Sequence, residues 1–380
     1  MFTPTGRAIV LIVVIACEPG TKARLPPVRD AGLQGVRRVT SLDADELSGS
    51  PRSGAFLGDG GVAVVDYANQ RVLVWDGAGR ARPPVGRRGS GPGEFRQLVW
   101  LGSDHDTLLA FDFASRRFSL LDVEGRVPGT FRLPELDPGG WPAPVGSTGD
   151  GAVVFVGNSM PRPGNRSSGV VQDSSSIYVV DVPQERVTRR WGPVPTLRYR
   201  VAGSETRSAG MSVTLSIDPH TSIAVAGALI ATATGTDSTV VLFDSTGSRT
   251  RVLHAPLRAE GLTSEDMASA RGEDGTRDPA FRAARTEILA HFSPPDRSPV
   301  ITDLVFATSD QLLVRGWASA ATAVAPWVRM TTRDSVIGTF TLPRTARVLA
   351  ARGDILLVTD EQEDGSVSLA IYDVSLVRSR

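Results

Sequence analysis

Residues 86–95 read GRRGSGPGEF, with glycines at 89, 91 and 93 beside two arginines. Two kinds of behaviour fit such a run. Free backbone N–H groups on a glycine-rich loop can cradle a phosphate, provided the loop leaves a strand and opens a helix whose N-terminus favours negative charge. Alternatively, glycine supplies the positive φ that a tight turn needs. The run is expected to follow the fourth strand of its repeat; another strand-like segment, QLVWLG (97–102), comes after it, and no Lys-Ser/Thr pair does. A turn is the expected reading.

Other chemistry is sparse. The four histidines, His105, His220, His254 and His291, are far apart, and no two have metal-ligand spacing. Asp66, Asp112 and Asp360 end equivalent apolar segments and could face one mouth of a ring-shaped fold, or could simply cap turns. There is no G-x-S-x-G elbow, and no Ser–His–Asp set emerges from spacing. GEDGTRD (272–278) is acidic but lacks the bidentate Glu that closes a calcium loop. The sequence therefore gives no catalytic residue, no cofactor-binding residue, no metal ligand and no cofactor. RVTRRWGPVPTLRYR (186–200) mixes five arginines with Trp191 and Tyr199. The expectation is a solvated strand and loop with Arg stacked on aromatic rings, open to a glycan or protein partner. With 41 basic and 41 acidic residues the net charge is zero, so no global field steers nucleic acid, and none is expected as a partner.

The elements that would carry these residues show as internal repeats. GVAVVDYANQRVLVWDGAGR (61–80) and TLLAFDFASRRFSLLDVEGR (107–126) align at an offset of 46 residues, matching Asp66 with Asp112, Arg71 with Arg117 and Asp76 with Asp122. A short apolar strand after a Gly/Asp turn recurs at 62–66, 108–112, 152–156, 229–233, 312–316 and 355–359. Partner strands end at Asp76, Asp122, Asp181, Asp244 and Asp373, and outer strands are expected at 129–134, 186–191, 250–255 and 337–342. Six such repeats describe an all-β, six-bladed β-propeller; a β-solenoid is the alternative. After SLAIYDV (368–374) too little chain remains for an outer strand, so VRRVTSL (36–42) is expected to supply it and close the ring, removing an exposed edge.

One segment, 257–292, carries helix signals and reads as a small helical insert between blades 4 and 5. Thr263–Asp266 resembles a capping start, and Asp278-Pro279 places an N-cap before Pro. Phe281, Ala284, Ile288, Leu289 and Phe292 then recur at helical spacing. Asn158–Ser176 reads as a long polar loop inside the third blade.

At the N-terminus, Arg7 precedes the apolar run Ala8–Ala16. That run is shorter than the ~20 residues a bilayer span needs and suits the h-region of an export signal. Val14-Ile15-Ala16-Cys17 resembles the bacterial lipoprotein signal. The resemblance implies cleavage after residue 16, diacylglycerol on Cys17, and attachment to the membrane by that lipid alone, facing periplasm or cell exterior. A plain secretory signal or an uncleaved anchor remain alternatives, and Glu18 leaves the choice of membrane open. The implied organisation is signal peptide 1–16, lipidated Cys and tether 17–35, and propeller 36–380.

GxxGxGPGEF following VVDYANQRVLVWDGAGR resembles the NHL-type and TolB-like six-bladed propellers of exported bacterial proteins. The resemblance is close over about 53–133. It implies that the glycine run joins two blades, that Phe95 enters the interblade core and that Asp66 and Arg71 form a turn-stabilising pair. The function it suggests is a binding or scaffolding module at the cell envelope; a periplasmic metal-dependent hydrolase or lyase with its site in the channel is the alternative.

Overall fold

The computed structural model describes residues 33–47, 49–104, 107–136, 140–159, 169–202, 211–272, 279–361 and 366–376. Cys17, His105 and Asp278 lie outside the described residues, as do the signal and most of the tether.

Strand β1 (Arg37–Leu42) comes first. A three-stranded sheet follows, β2 (Gly54–Phe56), β3 (Val62–Asp66) and β4 (Arg71–Trp75), then a short parallel pair, β5 (Arg87–Arg88) and β6 (Glu94–Phe95). The next sheet holds β7 (Leu98–Asp104), β8 (Thr107–Asp112), β9 (Arg117–Asp122) and β10 (Gly129–Arg132). A five-stranded sheet contains β11 (Gly140–Ser147), β12 (Ala152–Ser159), β13 (Gly169–Asp181), β14 (Arg186–Val201) and β15 (Ser212–Val213). Then come β16 (Ser222–Ala226), β17 (Leu229–Ala233), β18 (Thr239–Asp244) and β19 (Arg249–His254). Two helices follow, α1 (Ser264–Gly272) and α2 (Pro279–Ala290). After them lies a sheet of β20 (Ile301–Thr308), β21 (Gln311–Gly316), β22 (Val324–Thr331) and β23 (Val336–Pro343). The last sheet comprises β24 (Arg347–Arg352), β25 (Ile355–Glu361) and β26 (Val367–Asp373), with β1 as its outer strand.

The first strands of consecutive sheets touch in cyclic order: β2 with β7, β7 with β11, β11 with β16, β16 with β20, β20 with β24, and β24 with β2. Buried side chains explain why. VAVVD in β3 is buried throughout, and its successive residues point to opposite faces. Ala63 and Val65 join Val72, Phe95 and Leu98 in a core shared with the β7–β10 sheet. Val62 and Val64 join Trp75, Leu357 and Leu369 in a core shared with the last sheet. Further cores fill the remaining gaps, built around Phe111, Phe118 and Phe155, Val154 and Ile230, Val240 and Met330, and Trp327 and Tyr372. Each sheet is thus apolar on both faces, which is why its middle strands read as unbroken apolar runs. Radial sheets packed face to face around inner strands make a β-propeller.

β1 pairs antiparallel with β26, from Arg37 opposite Asp373 to Leu42 opposite Leu369. Arg37 Nη2 donates to Asp373 Oδ2 at 2.7 Å. The Ser375 hydroxyl, the Ser375 N–H and Arg37 together hold the Asp373 carboxyl down at about 2.

Three expectations need correction. Residues 169–176 of the anticipated polar loop belong to β13, and 158–159 end β12, because β13 and β14 pair along nearly their whole length; 160–168 lie outside the described residues. For the same reason 192–200 is strand rather than loop, although Arg190 does stack on Tyr178, 5.6 Å from the ring centroid. Before the glycine run no fourth strand forms; 81–85 makes only the isolated bridges Trp75–Ala81 and Val72–Val85.

Candidate functional site

The glycine run behaves as a turn. Gly86 and Gly93 take positive φ, while Gly89 and Gly91 do not need to. A Cβ at Gly89 would lie 2.2 Å from Glu94 Oε2, so glycine is there to let that carboxylate in. The Glu94 carboxylate accepts from the N–H groups of Ser90 and Gly91 and from the Arg87 side chain. Those contacts hold it below the usual carboxylate range, the Gly91 N–H contributing most. The N–H groups a phosphate would need are already occupied by the loop's own carboxylate. Phe95 is fully buried.

Asp66 and Asp112 are also fully buried and serve their own turns. Arg71 Nε donates to Asp66 Oδ2 at 2.9 Å. Asp112 accepts from four backbone N–H groups, those of Arg96, Gln97, Ala114 and Ser115. The repeat-related Arg117 departs from its counterpart Arg71, donating to the carbonyls of Ser90, Gly91 and Glu94 and locking the glycine loop. Asp360 accepts from Thr345 Oγ1. His254 lies against Asp334, with Nδ1 3.2 Å from its Oδ2, and His291 Nδ1 is 2.7 Å from the Glu287 carbonyl. Among the described residues no group of three or more His, Cys, Asp or Glu could hold a metal ion.

The structure instead assembles residues that the sequence left apart. At the end of the ring where β16, β20 and β24 begin, a cavity of about 530 Å³ is lined by His220, Asp303, Arg315, Trp317, Arg344 and Arg347, with small and hydroxylated residues between them. His220 precedes β16, Asp303 sits near the start of β20 directly opposite Arg315 on β21, and Arg347 is the first residue of β24. Of these only His220 stood out in the sequence, and there as an isolated histidine.

Burial dominates the electrostatics of this cavity. It pushes the Asp303 carboxyl up, against the pull of the Arg315, Arg347 and His220 charges and the Leu304 N–H. Burial likewise lowers Arg315, with the charges of Arg347 and Arg344 adding to the effect against that of Asp303. It lowers Arg347 too, reinforced by Arg52. Arg347 is nonetheless an exposed residue of the cavity lining, so Arg315 is the more deeply withdrawn of the two.

Part of the wall is held by hydrogen bonds. Arg315 Nη2 donates to the Arg344 carbonyl at 2.6 Å. Behind His220, Arg200 and Asp218 form a two-pronged ion pair with only 3% of either side chain exposed. Asp218 also accepts the Leu215 N–H. The helices buttress the wall at Trp317, which packs against the same buried cluster, Ala270 and Ile288 of the helices with Val213 and Ile217, as do Leu262, Met267, Leu289 and Phe292. At the start of α1, Asp266 N–H donates to Thr263 Oγ1 and Thr263 N–H donates back to Asp266 Oδ2, a reciprocal cap. The other carboxylate oxygen of Asp266 accepts from Ser319 Oγ at 2.7 Å and Ala320 N–H at 2.6 Å.

Burial opposes the charge on Asp266, yet these donors, led by the Thr263 and Ala320 N–H groups, hold its carboxyl at about 2. A depressed folded-state value means that the stability it contributes is complete above the unfolded value of 3.8 and is lost as pH falls towards about 2. Asp266→Asn should therefore flatten the acid limb of the stability profile below pH 4, as read by urea unfolding at stepped pH, while Asp266→Ala should cost about 2 kcal/mol at neutral pH. An unchanged acid limb in Asp266→Asn would remove Asp266 as the origin.

No family model matches the chain, and no curated protein matches it. Among solved structures, a member of the DUF4221 family from Bacteroides vulgatus is similar, with a TM-score of 0.52 and 9% identity over 89% of this chain and 97% of that one. A candidate exported protein from Bacteroides fragilis scores 0.46 at 14% identity, covering 91% and 95%. Virginiamycin B lyase from Staphylococcus aureus scores 0.42 at 9%, covering 89% and 99%. At these identities the likeness is one of fold alone.

Proposed function

We propose that this chain is an exported, lipid-anchored six-bladed β-propeller, closed by β1, that binds a ligand at the mouth of its ring as a binding or scaffolding module of the cell envelope. The observation that carries this reading is the cavity between the starts of β16, β20 and β24. It is lined by charged and hydroxylated side chains, with Arg315 fixed on the Arg344 carbonyl and the buried Arg200–Asp218 pair beside His220. Recognition needs such preorganisation, because side chains already fixed lose little freedom when a ligand arrives. The six radial sheets and the six cores between them support the blade number. The helices stand between the fourth and fifth sheets in chain order, as an insert would. No helix of the described residues is long and apolar enough to cross a membrane; the envelope location rests on the signal-like residues 1–17, with Cys17 as the lipid acceptor. A protein or glycan partner would meet the same face.

The test is a thermal-shift screen of the protein lacking residues 1–17 against anionic, neutral and cationic small molecules, with product analysis of every stabilising compound and a parallel calcium titration. Stabilisation without turnover is expected. Turnover of a stabilising compound, or a melting temperature that depends on calcium, would overturn the binding reading in favour of a metal-dependent hydrolase or lyase. Radiolabelled palmitate should enter the full chain and not Cys17→Ser; equal labelling would end the anchoring reading.

A further inference from the structure

Several arginines of this protein have a carboxylate at hand. Arg71 pairs with Asp66, Arg80 with Asp76, Arg87 with Glu94, Arg126 with Asp122, Arg200 with Asp218 and Arg329 with Asp354. Two arginines that line the mouth of the ring do not. Among the described residues the Arg347 guanidinium makes no hydrogen bond and no ion pair. Arg315 spends one nitrogen on a carbonyl while its Nε is buried with no hydrogen-bond partner. Among the described residues, the charges that bear on Asp303, Arg315 and Arg347 are those of Arg52, Arg344 and His220 and of Glu361, besides their own, in a chain whose net charge is zero.

A buried donor left unsatisfied, as Arg315 Nε is, costs free energy, and a guanidinium withdrawn from water costs more when no anion compensates it. Such an arrangement is retained where something else supplies the missing acceptor. The planar guanidinium fork matches two oxygens of a carboxylate or phosphate, and it holds them most strongly where water is scarce. Here two forks, on β21 and β24, converge on one cavity from adjacent sheets.

Resting on the reading of this mouth as a binding site, we propose that its ligand carries an oxyanion, a carboxylate or a phosphate, received between Arg315 and Arg347. Asp303 stands opposite Arg315 on the neighbouring strand and accepts the Leu304 N–H, while Arg315 and Arg347 both line the cavity. His220 and Trp317 frame the rest of the ligand.

The test uses the protein lacking residues 1–17 and calorimetric titration with sodium phosphate, acetate and citrate, against glucose and methylammonium as neutral and cationic probes. Ionic strength is held constant with potassium chloride, because sulfate- and phosphate-type salts also stabilise proteins non-specifically at high concentration. At least one oxyanion should bind with saturation. Arg347→Gln should weaken it by about tenfold to a hundredfold, the range one charge-assisted hydrogen bond supplies. The remote exposed variant Arg249→Gln should leave it unchanged. Phosphate alone responding would identify a phosphoryl group, and acetate or citrate alone a carboxylate; both support the proposal. Oxyanion binding indifferent to Arg347→Gln and Arg315→Gln would overturn it. So would saturable binding of the neutral or cationic probe alone that the cavity-filling Ala318→Trp abolishes, an outcome that leaves the binding reading standing. No saturable binding by any probe at the mouth overturns the oxyanion proposal; if the wider screen is also blank, the binding reading fails with it.

Discussion

Asp218→Ala will destabilise the protein by about 3–5 kcal/mol at neutral pH, the cost of leaving a buried charge without its partner. Arg200 and Asp218 are both almost wholly removed from solvent, so when the carboxylate goes the guanidinium has neither water nor an anion. The Leu215 N–H loses its acceptor at the same time. Urea unfolding followed by tryptophan fluorescence gives the number. The double variant Arg200→Met with Asp218→Leu should recover much of the loss, because an apolar pair of similar volume replaces the ion pair without stranding a charge. A single-variant cost below about 1 kcal/mol would show that water reaches Arg200 and that the wall behind His220 is looser than described.

Phe95→Ala should cost a comparable amount, about 3–5 kcal/mol, through the cavity left in the core between the first two sheets. Phe95 is fully buried there with Val72, Val85, Leu98 and Leu108. Its ring also lies where Gly86 needs open space, since a Cβ on Gly86 would come within 2.5 Å of Phe95 Cε2. The ring therefore fixes the glycine loop from inside while Arg117 fixes it through the carbonyls. Phe95→Leu should lose markedly less, and an equal loss would mean that ring shape rather than buried volume decides.

What the sequence made legible was local. The 46-residue repeat announced β3–β4 and β8–β9 because both strands and the turn between them lie within twenty residues, and their two-sided burial leaves unbroken apolar runs. The start of α1 could be read from Thr263–Asp266 for the same reason, since its cap closes over three residues. The strand-pairing of β1 with β26 was also foreseen, by counting strands rather than by any local signal. The mouth was illegible. Asp303, Arg315 and Arg347 sit on three strands in two sheets, and His220 precedes a fourth strand in another; nothing in the spacing of 220, 303, 315 and 347 marks them as neighbours. The long β13–β14 hairpin was missed because serines and a glycine-proline pair imitate loop composition, whereas cross-strand pairing decided the outcome.

The pairing of β1 with β26 also imposes an order on folding. Its two strands are separated by most of the chain, with the Arg37–Asp373 contact spanning 336 positions. No ring can close before residues 367–373 have been made, so β1 waits for β26, the first and last strands among the described residues. Joining such distant segments in an unfolded chain would cost on the order of 5 kcal/mol from length alone. Once the intervening sheets have folded onto one another, they already hold the two ends close and most of that cost has been met. Closure is then a late, fast event, and until it happens the apolar side of Leu42 and the free edge of β26 are the surfaces on which two half-finished chains could join each other instead.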